Sequence, residues 1–273
     1  MAQNSIEAVG LTDVGNVRQF NEDRIAIDAR IGVVALADGM GGHRAGEVAS
    51  RMAADIVLAA LRAHIGASGP AAHQHSPLLA AEQSIKQANQ AIFEAAQADA
   101  TRHGMGTTLA LAVFNDNSVV LGHIGDSRIY RLRAGRLQLL TRDDSLLREQ
   151  VELGVISADE AAHSHNRSLV THALGTGERV DPHMREDDAL PGDVFLLCSD
   201  GLNDLVDDAD IELIVRSVAS NLALAAQILI QTAKDNGGYD NVSVILAKVV
   251  SSSSRNREQG WLHRLFRRRG SPE

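Results

Sequence analysis

Four short apolar runs, spread over roughly two hundred residues, each carry an aspartate at one end. Ile31 to Ala37 leads to Asp38 and is followed by glycines at 39, 41 and 42. Ser118 to Ile124 runs into Gly125-Asp126-Ser127, and Val194 to Cys198 runs into Ser199-Asp200-Gly201. Asp240-Asn241 stands directly before Val242 to Lys248. Apolar runs of this length beside glycine read as buried strands, which puts each carboxylate at a strand's end. A single Asp-Gly after a strand is ordinary hairpin chemistry. Four of them, together with Glu22-Asp23, point instead to carboxylates converging on a metal.

The rest of the composition sets the frame. A chain of 273 residues can bury a full core as one domain or two small ones. Aromatic residues make up only 3%, so the core must be aliphatic, and stacking platforms for nucleic acid are not expected. The single cysteine, Cys198, excludes an internal disulfide and sits in an apolar run as a small buried hydrophobe. No segment approaches the ~18 apolar residues that span a bilayer. The first ten residues, MAQNSIEAVG, lack the basic and apolar regions of a signal peptide. A cytoplasmic protein is the expectation. Residues 255–273 hold six arginines against two glutamates, a balance of +4 that leaves −13 for residues 1–254. An acidic body suits a cation site and is a poor partner for nucleic acid.

In chain order, Ser5–Asp13 reads as a first strand, Gly15–Arg24 as a polar loop, and Ile25–Asp28 as a second strand. Gly46–Ile65 has apolar residues at 48, 52, 56, 57, 60 and 61, one face of an amphipathic helix. Ser76-Pro77 supplies an N-cap and a first-turn proline for a second helix running to about Ala100. From Thr107 to Leu140 four strand-like runs joined by short connections predict an antiparallel meander. Short helices follow at Asp144–Leu153 and Ser157–Ala162, then a polar stretch at His163–Asn166. A strand at Asp193–Cys198, helices at Asp208–Ala219 and Leu222–Lys234, and a strand at Val242–Val249 close the order. This is an α+β pattern, with two packed sheets and helices outside each as its natural solution.

Rival chemistries fail on single residues. Gly41–Glu47 has Walker A glycine spacing, but Glu47 stands where a lysine must reach the phosphates. Neither Gly39/Gly41 nor Gly175/Gly177 is completed as a dinucleotide fingerprint. The His163-Ser164-His165 pair lies in a polar loop and is no zinc site, and no Gly-x-Ser-x-Gly is present. What is left is an all-oxygen set: Glu22, Asp23, Asp38, Asp126, Asp200 and Asp240. Oxygen-only ligation selects Mg²⁺ or Mn²⁺, and this many carboxylates implies two or more ions. Arg18, just before the first carboxylates, is placed to orient a phosphate.

At this point the chain resembles a family, the metal-dependent serine/threonine protein phosphatases of type 2C, and in particular their compact bacterial branch. The resembling segments are TDVGNVRQFNEDR (12–24), LADGMGGH (36–43), GMGTT (104–108), GHIGDSRIY (122–130), CSDGL (198–202) and DNVSV (240–244). They occur in the family's order and span roughly residues 6–249. The resemblance implies an αββα sandwich with a dinuclear Mn²⁺ or Mg²⁺ site at one end of two mostly antiparallel sheets. By position, Asp38 would bridge both ions, with the Gly39 carbonyl on one of them. Asp200 and Asp240 would hold the other, with Asp23 and Glu22 contributing directly or through water. Asp126 and Asp200 would hold a third, weaker ion. Arg18 would bind the substrate phosphate, and Asp143 to Leu174 would form a flap beside the site.

The implied activity is hydrolysis of phosphoserine and phosphothreonine in proteins by a metal-bridging hydroxide, without a phosphoenzyme, reversing a serine/threonine kinase in signalling. The alternative is a catalytically inactive phosphatase fold serving as a binding module. Its mark would be loss of Asp38, Asp200 or Asp240, and all three are present. A two-metal nuclease would want a basic groove, which this acidic body lacks. Two departures stand out. Met40 follows Asp-Gly where eukaryotic relatives have a histidine, which leaves His43 or a water as the proton donor. Asp143-Asp144-Ser145 stands where bacterial relatives often carry Asp-His-Ser. Residues 1–250 are expected to form the phosphatase domain, as a monomer. Beyond them, the Ser-rich run 251–254 leads to Trp261, Leu262, Leu265 and Phe266 on one helical face before Arg267-Arg268-Arg269, a segment suited to an anionic membrane surface or a partner.

Overall fold

The computed structural model describes residues 5–41, 45–66, 76–157, 160 and 169–250. Two sheets lie face to face. One has strand order β1-β11-β10-β7-β8, from β1 (Ser5–Asp13), β11 (Val242–Val250), β10 (Val194–Cys198), β7 (Arg128–Arg133) and β8 (Arg136–Leu139). The other runs β2-β3-β5-β6-β9, from β2 (Asp23–Asp28), β3 (Val33–Met40), β5 (Leu109–Asn115), β6 (Ser118–Ile124) and β9 (His183–Asp188), with short β4 (Gly106–Thr107) against β3. Every recorded strand pairing is antiparallel.

The period of two along each strand builds three apolar layers. On β3, Val33, Ala35 and Ala37 face α1 (Ala45–Gly66) and α2 (Pro77–Ala98), where alanines at 49, 53, 81 and 88 let the helices lie close. Val34 and Leu36 face the opposite sheet, meeting Phe114, Phe195, Leu197 and Ile245 in the inter-sheet core. Val194, Leu196 and Cys198 of β10 turn outward to the helices Asp208–Ser217 and Leu222–Asp235, which cover the second sheet. Cys198 is fully buried there, and burial pushes its thiol up to about 12, as fits the inert residue expected. Ser76 caps α2 by accepting from the Leu79 N–H, with Pro77 in the first turn.

The expected meander is corrected. β5–β6 and β7–β8 are hairpins in different sheets, so the chain leaves one sheet and enters the other at Gly125-Asp126-Ser127. Gly125 has φ +95°, and a Cβ there would meet the Thr108 side chain at 2.6 Å. Strand lengths also shift. Asp23 is the first residue of β2 and not part of a loop, and Asp38 lies inside β3, two residues before its end. β9 (HMREDD) is a strand the sequence pattern missed, since it is a polar edge strand with no apolar alternation. The expected helix at 157–162 and the stretch His163–Asn166 fall mostly outside the described residues, as does the segment 251–273.

Candidate metal centre

Pairing register brings the first two carboxylates together. Asp23 stands directly opposite Asp38 across β2–β3. The Asp38 N–H donates to Thr108 Oγ1 at 3.0 Å and its carbonyl accepts from the Thr108 N–H at 2.9 Å, so both backbone groups turn away from β2. The Asp23–Asp38 pair is therefore of the non-hydrogen-bonded kind, in which side chains stand closer. Both carboxylates continue the rows of Ile25/Ile27 and Val34/Leu36 that face the opposite sheet, so they lie at the end of the inter-sheet space. Across that space, Ser199 continues the row of Phe195 and Leu197, and Ser243 that of Ile245 and Ala247. Ser199 Oγ donates to Asp23 Oδ2 at 2.9 Å and accepts from the Ser243 N–H at 3.0 Å. The apolar core thus ends in a polar floor built by the same alternation.

Four other elements reach this end. Glu22 precedes β2, and its carbonyl accepts from the Gly39 N–H at 3.2 Å and from Ser50 Oγ of α1. Its N–H donates to Asn241 Oδ1 at 2.8 Å, while Asn241 Nδ2 donates to the carbonyls of Val14 and Phe20. Asn241 thereby fixes the loop that carries Arg18 and Glu22 beside its own neighbour, Asp240. At Gly39 the start of α1 comes so near that a Cβ would stand 2.1 Å from the Gly46 carbonyl oxygen. Asp126 occupies the crossing between sheets, with Ser127 Oγ against Thr108 Oγ1 at 2.7 Å. Asp200 opens the short helix Asp200–Asn203 after Ser199.

The electrostatics are those of crowded like charges. Burial, then the charges of Asp23, Asp200, Asp126 and Asp240, push the Asp38 carboxyl well above its ordinary range. Burial, then Asp126, Asp240, Asp204 and Asp23, do the same to Asp200. Burial raises Asp23 to about 6 against opposing hydrogen bonds from Ser243 and Ser199, and burial with the charge of Asp143 raises Asp126 to about 7. Glu22 is raised by burial, partly offset by backbone N–H groups of Glu47 and Gly46. Arg18 is raised by its hydrogen bond to Asp240, a 2.6 Å ion pair, and feels Asp200 and Asp38 as well. Glu22 Oε1, Asp23 Oδ1 and Asp200 Oδ1 are buried without a hydrogen-bond partner. Orphaned buried carboxylate oxygens are costly unless a cation satisfies them. Among the described residues no group of three or more acidic, His or Cys side chains is placed closely enough to hold a metal ion as it stands. The fit to a cation rests on donor chemistry: all oxygen, all acidic, mutually repelling, which suits hard divalent ions.

The sequence-selected residues Arg18, Glu22, Asp23, Asp38, Gly39, Asp126, Asp200 and Asp240 are gathered at this one end of the sandwich. His43 lies outside the described residues. Thr108, Ser199, Ser243 and Asn241, which hold the acidic groups in place, were not singled out. The GMGTT, CSDGL and DNVSV segments contain all four, and reading them as units would have found them.

The segment from Asp143 to Leu174 is closed at its base. Leu146 N–H donates to the Leu169 carbonyl and Thr171 N–H to the Asp144 carbonyl. Asp144, the departure noted above, accepts from the Gly125 N–H at 3.0 Å and contacts His183 Nε2 at 2.9 Å. A cavity of about 910 Å³ lies between α2 and this base, lined by residues that include Asn89, Arg142, Asp144 and His183. None of the gathered carboxylates lines it.

A family model described as protein phosphatase 2C matches residues 16–241. The chain belongs to the protein phosphatase 2C family. The serine/threonine protein phosphatase PstP of Mycobacterium tuberculosis is 44% identical over 241 residues, 88% of this chain, and the chain spans 44% of that relative's length. The serine/threonine phosphatase stp of Listeria monocytogenes is 34% identical over 87% of this chain and 93% of its own. Among solved structures, PstP of M. tuberculosis superposes with a TM-score of 0.80 at 38% identity over 90% of this chain and 99% of that one. The catalytic domain of PstP in complex with two manganese ions gives 0.78 at the same identity and coverage. Two antiparallel sheets flanked by helices are thus the protein phosphatase 2C fold in this chain as in those structures.

Proposed function

We propose that this chain is a Mn²⁺- or Mg²⁺-dependent protein phosphatase acting on phosphoserine and phosphothreonine in proteins, opposing a serine/threonine kinase in signalling. The observation that carries the reading is the convergence of Asp23, Asp38, Asp126, Asp200 and Asp240 at one end of the sandwich, where Asp23 and Asp200 each keep a buried carboxylate oxygen without a hydrogen-bond partner. Manganese as the metal is supported by the two-ion PstP complex. We assign Asp38 as the residue that would be shared by two ions, with the Gly39 carbonyl on one of them; Asp200 and Asp240 would hold the other, Asp23 and Glu22 would contribute directly or through water, and Asp126 with Asp200 would hold a third, weaker ion. When bound, such ions supply Lewis-acid activation of water and neutralise charge on the phosphoryl group.

The chain's own residues prepare that chemistry. Thr108 fixes the backbone of Asp38, and Ser199 fixes the Asp23 carboxylate. Arg18 presents a planar fork that can grip two phosphate oxygens and offset the charge spreading over the transferring group. His43 or a water protonates the departing hydroxyl oxygen. The inactive-module alternative draws no support here, since each acidic residue it would lose is present and gathered. We further propose residues 1–250 as the phosphatase unit, a monomer in the cytoplasm, with 251–273 docking on an anionic surface or partner.

Hydrolysis of a phosphothreonine peptide tests this reading, with Mn²⁺ titrated in and EDTA as control. Turnover that needs the metal and falls at least about a hundredfold in Asp38→Ala is expected. Metal binding without turnover on several phosphopeptides would contradict it.

A further inference from the structure

Aromatic residues are scarce, eight in the whole chain. Among the described residues, Phe114, Tyr130 and Phe195 are buried, Phe93 is half-buried, and the two exposed aromatics are Phe20 (49%) and Tyr239 (65%). Both stand on one ridge beside Arg18. The Asn16 N–H donates to the Gly238 carbonyl at 2.8 Å, Arg18 pairs with Asp240 at 2.6 Å, and Asn241 Nδ2 donates to the Phe20 carbonyl at 2.9 Å. Residues 16–20 therefore run alongside 238–241, with Val17 (61% exposed) and Tyr239 between the two paired positions.

Single exposed apolar side chains are ordinary. Here three stand exposed on two adjoining stretches that flank Arg18, the Tyr239 ring lying over Gly237, and exposed apolar side chains grouped beside a polar site mark binding surfaces. The position also decides what the patch would meet. Phe20 is two residues from Arg18, and Tyr239 adjoins Asp240. Consecutive Cα atoms are ~3.8 Å apart, so each aromatic residue's backbone lies within about 8 Å of the Arg18 or Asp240 backbone. A polypeptide whose phosphate is held by Arg18 must leave the site across its rim within one to three residues. Tyr and Phe are suited to such a surface because they offer large contact area at little rotamer cost.

We propose that Val17, Phe20 and Tyr239 form a specificity surface that receives an apolar side chain flanking the phosphorylated residue of the substrate. The preferred substrates are then phosphothreonine or phosphoserine segments with Leu, Ile, Met or Phe within about three positions of the phosphate. This deepens the phosphatase reading above and rests on it.

The test uses the full chain and two phosphothreonine peptides that differ only in Leu against Ser at the flanking positions. p-Nitrophenyl phosphate, which has no flanks, is the control substrate. Wild type should favour the leucine peptide about tenfold in kcat/KM, corresponding to about 1.4 kcal/mol. The Phe20→Ser/Tyr239→Ser variant should bring that ratio close to one while p-nitrophenyl phosphate hydrolysis and melting temperature hold. Fluorescence anisotropy with the same peptides reads the same preference as a ratio of Kd values and needs no turnover. Equal handling of both peptides by wild type, or a preference that survives in the variant, would overturn the proposal. So would a fall from dimer to monomer mass in the variant by light scattering, which would assign the ridge to a contact between copies. Failure of wild type to hydrolyse any of the three compounds with Mn²⁺ would count against the phosphatase reading instead, and the anisotropy ratio would then decide the surface alone.

Discussion

Thr108 shows how much of the site depends on residues without charge. Its hydroxyl accepts from the Asp38 N–H and pairs with Ser127 Oγ, tying the strand that carries one carboxylate to the crossing that carries Asp126. Thr108→Val keeps the shape and removes both bonds. It is expected to cost about 1–3 kcal/mol of stability, since buried polar groups lose their partner. It should also lower kcat/KM, because Asp38 loses its backbone anchor. Thermal melting and steady-state kinetics check this; an unchanged melting temperature with unchanged kinetics would refute the anchoring role. The acidic residues were legible because each stands at a recurring strand-Asp pattern. Thr108, Ser199 and Asn241 carry no such pattern, because a small polar residue has no periodic signal and its partner is set by register between distant strands; only the motif segments that contain them mark them. For Asp144 the letters alone announced only a departure, and its partners Gly125, just after β6, and His183, at the start of β9, meet only because those two strands pair antiparallel.

At the scale of elements, the helices, most strands and their order were readable from period and caps, as Ser76-Pro77 before α2 illustrates. The expected meander breaks at Gly125-Asp126-Ser127, a three-residue connection whose length reads as a turn within one sheet. Length alone does not say whether a link folds back or crosses over. Here the positive φ of Gly125 and the Thr108–Ser127 contact carry the chain to the other sheet, which is what places Asp126 near Asp38 and Asp200. A comparable constraint joins β3 to α1. Gly39→Ala would drive a Cβ into the Gly46 backbone and should destabilise by about 1–3 kcal/mol as an overpacked contact. Because the displaced strand segment holds Asp38, the variant should also bind Mn²⁺ more weakly. Calorimetric titration beside a melting curve checks both, and wild-type affinity would show that the close approach is incidental.

For the whole molecule, the gathered carboxylates make stability depend on pH in an unusual direction. Asp23, Asp38, Asp126 and Asp200 have folded pKa values raised above 3.8, so between that value and the folded pKa the native state binds more protons than the unfolded one. Stability then falls as pH rises through this window. Buried His123, lowered mainly by burial, works the other way as one group against four. Asp28, lowered despite burial by hydrogen bonds from Arg62 and Arg30, is ionised in both states throughout and does not enter. The metal-free protein is expected to melt at a lower temperature at pH 7.5 than at pH 5.5. Added Mn²⁺ should raise melting more at pH 7.5, since protons compete for the same oxygens. A metal-induced shift equal at both pH values would argue that the ions bind elsewhere.

The central claim is that these carboxylates hold catalytic ions, and counting the ions tests it most directly. Mn²⁺ would be titrated calorimetrically into metal-free protein at pH 7.5, for wild type and for Asp38→Asn. The account predicts at least two ions per wild-type chain and loss of tight binding in the variant, with its melting temperature in the absence of metal at least that of wild type. One ion or none in wild type, or unchanged binding in Asp38→Asn, would contradict it.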